Sequence, residues 1–190
     1  MSESGNPSST PSAPAGTGPL HDLLVDSFER VQGLFEGMTH RLSPELATWR
    51  VDGGSNSIAW LLWHLTRVQD DHVAGLAGEQ QAWPRWRDRF ALPFGPWATG
   101  YGQSPDETGE VRASGELLAG YHADVHALTL RYLDRISSDG GEAELARVVD
   151  EDWNPPVTAG VRLVSVVGDT LQHLGQAAYV KGLAERAGVA

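Results

Sequence analysis

The chain has 190 residues, 41% of them hydrophobic, and a net charge of -11 from 14 Lys and Arg against 25 Asp and Glu. That is enough apolar mass for one buried core, and the wrong sign of charge for nucleic acid or an anionic membrane as the main partner. With no cysteine the protein has neither disulfides nor a thiol nucleophile of its own, so any thiol chemistry needs a thiol brought by a cosubstrate.

Residues 1–18, MSESGNPSSTPSAPAGTG, hold almost no charge and no large apolar group after Met1. Such a segment is expected to be a disordered tail, with one domain over 19–187. It lacks both the charged and the apolar region of a secretory signal, and no apolar run is long enough to cross a bilayer. Cytoplasm is therefore the expected compartment.

From Pro19 to about Thr39, apolar residues recur at spacings of three and four (Leu20, Leu23, Leu24, Phe28, Val31, Leu34, Phe35, Met38), which predicts the first long helix. Ser43-Pro44-Glu45 reads as the cap and first turn of a short helix. Asp52–Ser57 is a loop whose end caps a second long helix running to about Ala77. Its first half, Ile58 to Leu65, is apolar nearly all round, the pattern of a buried helix. His64 lies inside that stretch, with Trp60, Leu61 and Val68 on its own face.

Residues 78–104 read as a long irregular connection, interrupted by a short helix at 83–90. It carries Trp83, Trp86, Phe90, Phe94, Trp97 and Tyr101, and a loop of this length in a compact domain is usually functional. Ser104-Pro105-Asp106-Glu107 predicts the start of the third long helix, to about Ile136, with a break near Ser114-Gly115. Leu118, Tyr121, His122, Val125, Thr129 and Tyr132 form its inward face. Residues 142–149 are expected to form a short helix. Thr158 caps the fourth long helix, to about Ala187, with Leu163, Val164, Val167, Leu171, Leu174 and Ala178 on one side. Four long helices without strand alternation predict an all-α four-helix bundle.

Asp169 and His173 stand four apart on the fourth helix, so they project from one face a turn apart. Arg162, Ser165 and Gln176 share that polar stripe, which lacks the Lys and Glu of an ordinary solvated face. Together with His64 they make two imidazoles and one carboxylate on two helices, a three-ligand metal site with open positions. His122 and His126 also have i,i+4 spacing, but they are not expected to be ligands; His122 is expected at most to line the pocket. Asp70 and Asp71 are read as solvated or supporting, His72 as a rim residue, and His21 and His40 as exposed.

The segments SNSIAWLLWHLTRVQDDHVAGLAG, RFALPFGPWATGYGQSPDE and GVRLVSVVGDTLQHLGQAAYVKGL resemble the DinB/YfiT-like superfamily, and within it the mycothiol-dependent branch that includes the maleylpyruvate isomerase-like N-terminal domain. The resemblance spans about residues 19–187. It implies an up-down-down-up bundle holding a divalent metal, zinc or nickel, on His64, Asp169 and His173. Many relatives carry His where this chain has Asp169, and the isomerases carry Glu, one methylene longer. The run His173-Leu174-Gly175-Gln176 is similar to a run common in the superfamily; there Gly175 would let another helix approach and Gln176 would support the site.

What the resemblance implies chemically is a metal-dependent S-transferase. A small thiol, mycothiol, binds the metal as thiolate and attacks a small electrophile. Trp60, His122 and Tyr101 would line the pocket, with the Trp-rich segment 83–101 around the electrophile and Arg162 on a carboxylate of either substrate. The alternatives are a hydrolase using metal-activated water on the same bundle, with Asp70, Asp71 or His122 as base, and a non-catalytic stress-associated binding protein. A homodimer is a further expectation.

Overall fold

The computed structural model describes residues 18–138 and 140–189; the expected tail, apart from Gly18, lies outside the described residues. Its elements are α1 (Pro19–Thr39), α2 (Pro44–Thr48), α3 (Ile58–Ala77), α4 (Trp83–Phe90), α5 (Pro105–Thr108), α6 (Gly115–Ser138), α7 (Gly141–Ala146), β1 (Val148–Asp150), β2 (Val157–Thr158) and α8 (Ala159–Arg186). Hydroxyl side chains start the helices where the sequence places them. Ser43, Ser57, Ser104 and Thr158 each accept a hydrogen bond from the backbone N–H three residues on, satisfying a donor that the first helical turn leaves unpaired.

The long helices α1, α3, α6 and α8 form the bundle, and two layers of core fix their directions. One layer joins the C-terminal half of α1 (Val31, Phe35) to the start of α3 (Ile58 to Leu65), the start of α6 (Leu118, Tyr121) and the C-terminal half of α8 (Leu174, Ala177, Val180). The other joins the start of α1 (Leu24, Phe28) to the end of α3 (Val73, Leu76), the end of α6 (Leu133, Ile136) and the start of α8 (Leu163, Val166). Hence α1 and α8 run one way and α3 and α6 the other, the up-down-down-up order. α3 packs on α8 and α6, and α1 on α6 and α8.

Three details differ from the sequence reading. Ser104 caps only the single turn α5, and the long helix α6 begins at Gly115, where the sequence reading placed a break. The helix expected over 142–149 ends at Ala146. The chain then forms β1, antiparallel to β2, with Val148 opposite Thr158 and Asp150 opposite Val157; a pair this short gives no alternation to read. Lastly, α8 buries Leu163, Val166, Thr170, Leu174, Ala177, Val180 and Ala184. Val164, Leu171 and Ala178, read on the same side as Leu163 and Leu174, face outward. The helix is apolar on both sides, and its core side uses small residues and a Thr.

Candidate metal centre

α3 delivers His64 from its most buried stretch, 6% exposed. Trp60, one turn earlier, stacks on the ring at 4.6 Å between centroids and 14° between planes. His64 Nδ1 lies 2.6 Å from the Thr99 carbonyl oxygen. A carbonyl only accepts, so Nδ1 carries the proton and Nε2 keeps its lone pair free. Burial pushes the His64 pKa down; the Thr99 hydrogen bond opposes this, His173 adds to it and Asp169 counters it. The ring is therefore neutral at pH 7, the form that ligates.

α8 delivers Asp169 and His173. His173 Nδ1 donates to the Asp169 carbonyl oxygen at 2.8 Å, which again frees Nε2. One ligand atom each from His64, Asp169 and His173 lies within 4.8 Å of the others, and the two imidazoles meet edge-on with centroids 4.8 Å apart. An ion with bonds of about 2.1 Å needs donors roughly 3–4 Å apart, within reach of small side-chain rotations. Asp169 Oδ2 is buried and has no hydrogen-bond partner. A buried carboxylate oxygen without a hydrogen bond, 3.6 Å from His173 Nδ1, beside two imidazoles with fixed tautomers fits a divalent cation: two neutral nitrogens and one anionic oxygen, with further positions open.

The Thr99 carbonyl is held by a network whose members the sequence reading had placed elsewhere or missed. Arg67, fully buried, donates from Nε to the Ala98 carbonyl at 3.0 Å. Its Nη1 reaches Asp70 at 3.3 Å, Gln81 at 3.0 Å and the Tyr121 hydroxyl at 3.1 Å. Asp70, read as solvated or supporting, is fully buried. It accepts from the Ala82 and Trp83 N–H groups at the start of α4, both at 2.8 Å, and from the Tyr121 hydroxyl at 2.7 Å. Those donors, with the positive end of a helix, supply the reason a carboxylate can sit inside. Burial still pushes its pKa up. Arg67 and Asp70 stand three apart in RVQD, a spacing that sets them on one helix face, but the sequence reading did not single out Arg67.

Gly100 completes the loop at φ +99°. A Cβ there would lie 2.7 Å from His64 Nδ1 and within 3.2 Å of the Trp60 and Trp63 rings, so only glycine lets this backbone lie against the imidazole. The Trp60 indole N–H donates to Gln103 at 2.8 Å, which ties the same loop to α3 a second time.

A cavity of about 410 Å³ adjoins the site, lined by His64, Thr99, Tyr101, Ser165 and Asp169 among others. Asp71 and His72 also line it, and both line a larger groove of about 900 Å³ with Trp97, Arg147 and Arg162. Arg162 thus faces the groove, where it bonds Asp150 at 3.0 Å and donates to His72 Nδ1 at 3.1 Å. Burial and then Arg162 push the His72 pKa down. Tyr101 stands almost fully exposed over the smaller cavity.

The remaining expected residues lie away from the triad. His122 is buried between α1 and α6, bonded to Gln32 at 2.7 Å and stacked on Phe35 at 4.0 Å; it lines neither cavity, because the inward face of α6 at that level meets α1. Gln176, although on the same stripe as His173, is exposed on α8. Gly175 has open space where a helix was expected to approach. His21, expected exposed, is mostly covered and lies 3.2 Å from both Asp22 and Asp134. Trp83, Trp86 and Phe90 pack on Tyr121, so this part of the aromatic segment is core, whereas Trp97 and Tyr101 line the groove and the cavity beside the site.

A family model described as the DinB superfamily matches residues 27–177. No functionally curated protein matches the chain. Among solved structures, a crystal structure of a conserved protein from Enterococcus faecalis is similar, with 32% sequence identity and a TM-score of 0.77, covering 85% of this chain and 95% of that one. The match of the family model across the bundle, with this likeness in sequence and fold, shows that the chain belongs to the DinB superfamily.

Proposed function

We propose that the protein is a divalent-metal-dependent S-transferase that joins a small-molecule thiol, mycothiol by the resemblance of its segments, to a small electrophile. The observation that carries this reading is the triad: two imidazoles with free Nε2 atoms and an unpartnered carboxylate oxygen, set beside a cavity. A bound zinc or nickel ion would lower the pKa of a coordinated thiol and hold its sulfur in place. The absence of cysteine leaves the sulfur to come from a cosubstrate. The chain's own residues do the rest. Thr99 and Trp60 fix the His64 ring, Asp169 supplies the one negative charge, and the Tyr101 and Ser165 hydroxyls border the space a substrate enters. The cavity and the neighbouring groove, which share Asp71 and His72 as lining residues, give room for thiol and electrophile side by side. The product has a new C–S bond; the thiol proton ends on the adjacent carbon in an addition, or leaves with the displaced group in a substitution.

The test begins with elemental analysis of untagged protein beside His64→Ala and His173→Ala. About one equivalent of divalent metal in the wild type, lost in both variants, is expected. Thiol consumption with an electrophile panel then follows, and wild-type protein that binds no metal after reconstitution would end this reading. The hydrolase alternative needs a base near the ion. Asp70 is sealed in its ion pair and His122 faces α1, which leaves Asp71 at the cavity wall. Ester or amide hydrolysis without added thiol, lost in Asp71→Asn, would favour it.

A further inference from the structure

The groove of about 900 Å³ beside the metal cavity has a chemistry of its own. Two neighbours on α3 form part of its polar wall, and each is set from behind. Asp71 Oδ1 accepts from the Gln81 side-chain amide at 2.7 Å, and the Gln81 carbonyl accepts in turn from buried Arg67 at 3.0 Å. His72 Nδ1 lies 3.1 Å from Arg162 Nη1. A guanidinium only donates, so Nδ1 accepts and the proton of the neutral ring sits on Nε2. Among the described residues that N–H has no partner. With Asp71 Oδ2 and His72 Nδ1 3.8 Å apart, the wall offers a carboxylate that accepts beside an N–H that donates.

Charge narrows what can bind there. Arg162, expected on a substrate carboxylate, has its two Nη atoms on His72 and Asp150. Arg147 holds Glu144 at 2.7 Å, and Glu79 has Arg131 and Arg135 at 3.4 and 3.6 Å. These charges are already matched, and among the described residues Asp71 has no Lys or Arg against it. An anionic ligand would meet Asp71 with no cation left to receive it, in a chain of net charge -11. A wholly apolar ligand would cover Asp71 and the His72 N–H without bonding them, at about 1–3 kcal/mol each. What fits is a neutral ligand whose rim both gives and takes hydrogen bonds.

Trp97 adds a flat apolar face. It lines the same groove and is 68% exposed, and among the described residues it stacks on no other ring. An indole presents a broad apolar surface for stacking. The C–H face of a saturated ring can cover it while the hydroxyls of that ring, each a donor and an acceptor, reach Asp71 and His72. Neighbouring hydroxyls satisfy a donor and an acceptor set side by side, whereas a lone carbonyl satisfies one of the two. His72 stands eight residues after His64, about 12 Å along the helix, and lines the metal cavity as well.

We propose that the groove is a binding site for a neutral polyhydroxylated ring, a sugar or cyclic polyol, stacked on Trp97 with its hydroxyls on Asp71 and His72. The assignment of that ring to a substrate rests on the transferase reading: the thiol or the electrophile carries it, roughly 12 Å from the atom held at the ion. Ligand-observed NMR with methyl glucoside and myo-inositol should show saturable binding at millimolar concentration. Trp97→Ala and His72→Leu should each weaken it about tenfold or more, with helical circular dichroism and metal content unchanged. Glucose 6-phosphate should bind no tighter than methyl glucoside, and benzamide more weakly. No saturable polyol binding overturns the proposal. So does tighter binding of the phosphate or of benzamide, or polyol binding that neither variant weakens. His173→Ala keeps this site apart from the metal centre: it should lose the ion and retain the polyol, and loss of both overturns a separate groove site. Wild-type protein that binds the polyol but no metal sinks the transferase reading alone. In the thiol-consumption assay, methyl glucoside should compete with whichever substrate carries the ring, thiol or electrophile. Competition with neither overturns the assignment of the ring to a substrate.

Discussion

His64 can serve as a ligand because a neighbouring backbone takes one of its nitrogens. Thr99 accepts from Nδ1, and Gly100 allows that carbonyl to lie against the ring. A methyl group at position 100 must displace the loop or the imidazole, on a backbone whose φ already favours glycine. Gly100→Ala is therefore expected to weaken metal binding by about 10–100-fold, the usual cost of losing the group that orients a ligating histidine. A chelator-competition titration checks this, and an affinity equal to wild type would mean that the Thr99 contact does not orient the ligand. Gly100 gave no signal in the sequence, because what makes it necessary is a histidine thirty-six residues earlier.

At the scale of elements, the long connection between α3 and α6 is a strap buckled to α3. Arg67 holds the Ala98 carbonyl beside Thr99, while Asp70 holds the start of α4. Removing one partner of a fully buried ion pair leaves the other uncompensated, so Arg67→Met is expected to cost about 3–5 kcal/mol. The same variant should also lose metal affinity, since the strap carries the carbonyl that orients His64. Thr129→Val separates the two effects. It breaks the buried bond from Gln69 at 2.9 Å, remote from the strap, and should lower the melting temperature without changing affinity. If Arg67→Met lost stability alone, the network would be a packing device and no more. The sequence reading did not single out Arg67 and left Asp70 as solvated or supporting, because helical spacing cannot say what a loop thirteen residues later will cover.

Across the whole molecule, acid acts through histidines kept neutral by burial. Burial, with His126 beside it, pushes the His122 pKa down to about 3, below its ordinary value near 6.5. The unfolded chain then binds a proton that the folded chain refuses. Stability is thus full above the unfolded pKa and falls as pH drops from about 6.5 toward 3, by up to about 1.4 kcal/mol per pH unit for this one group. His64 and His72 shift in the same direction and steepen the fall. Urea titrations of metal-free protein at several pH values in this window should show it, and His122→Asn should remove one group's share of the slope. A slope unchanged in that variant would mean that His122 takes up a proton without unfolding.

By itself the sequence determined what is local: the helices through their apolar periodicity, the starts through Ser43, Ser57 and Thr158, and a ligand pair through the spacing of Asp169 and His173. Only the tertiary structure decided which flank of α8 turns inward, since that helix is apolar on both and buries Thr170, Ala177 and Ala184 rather than Leu171. It also decided that Asp70 is enclosed, that His122 looks toward α1, and that a carbonyl from residue 99 comes to rest on His64. Each of these depends on contacts between residues far apart in the chain, where neither propensity nor period carries information.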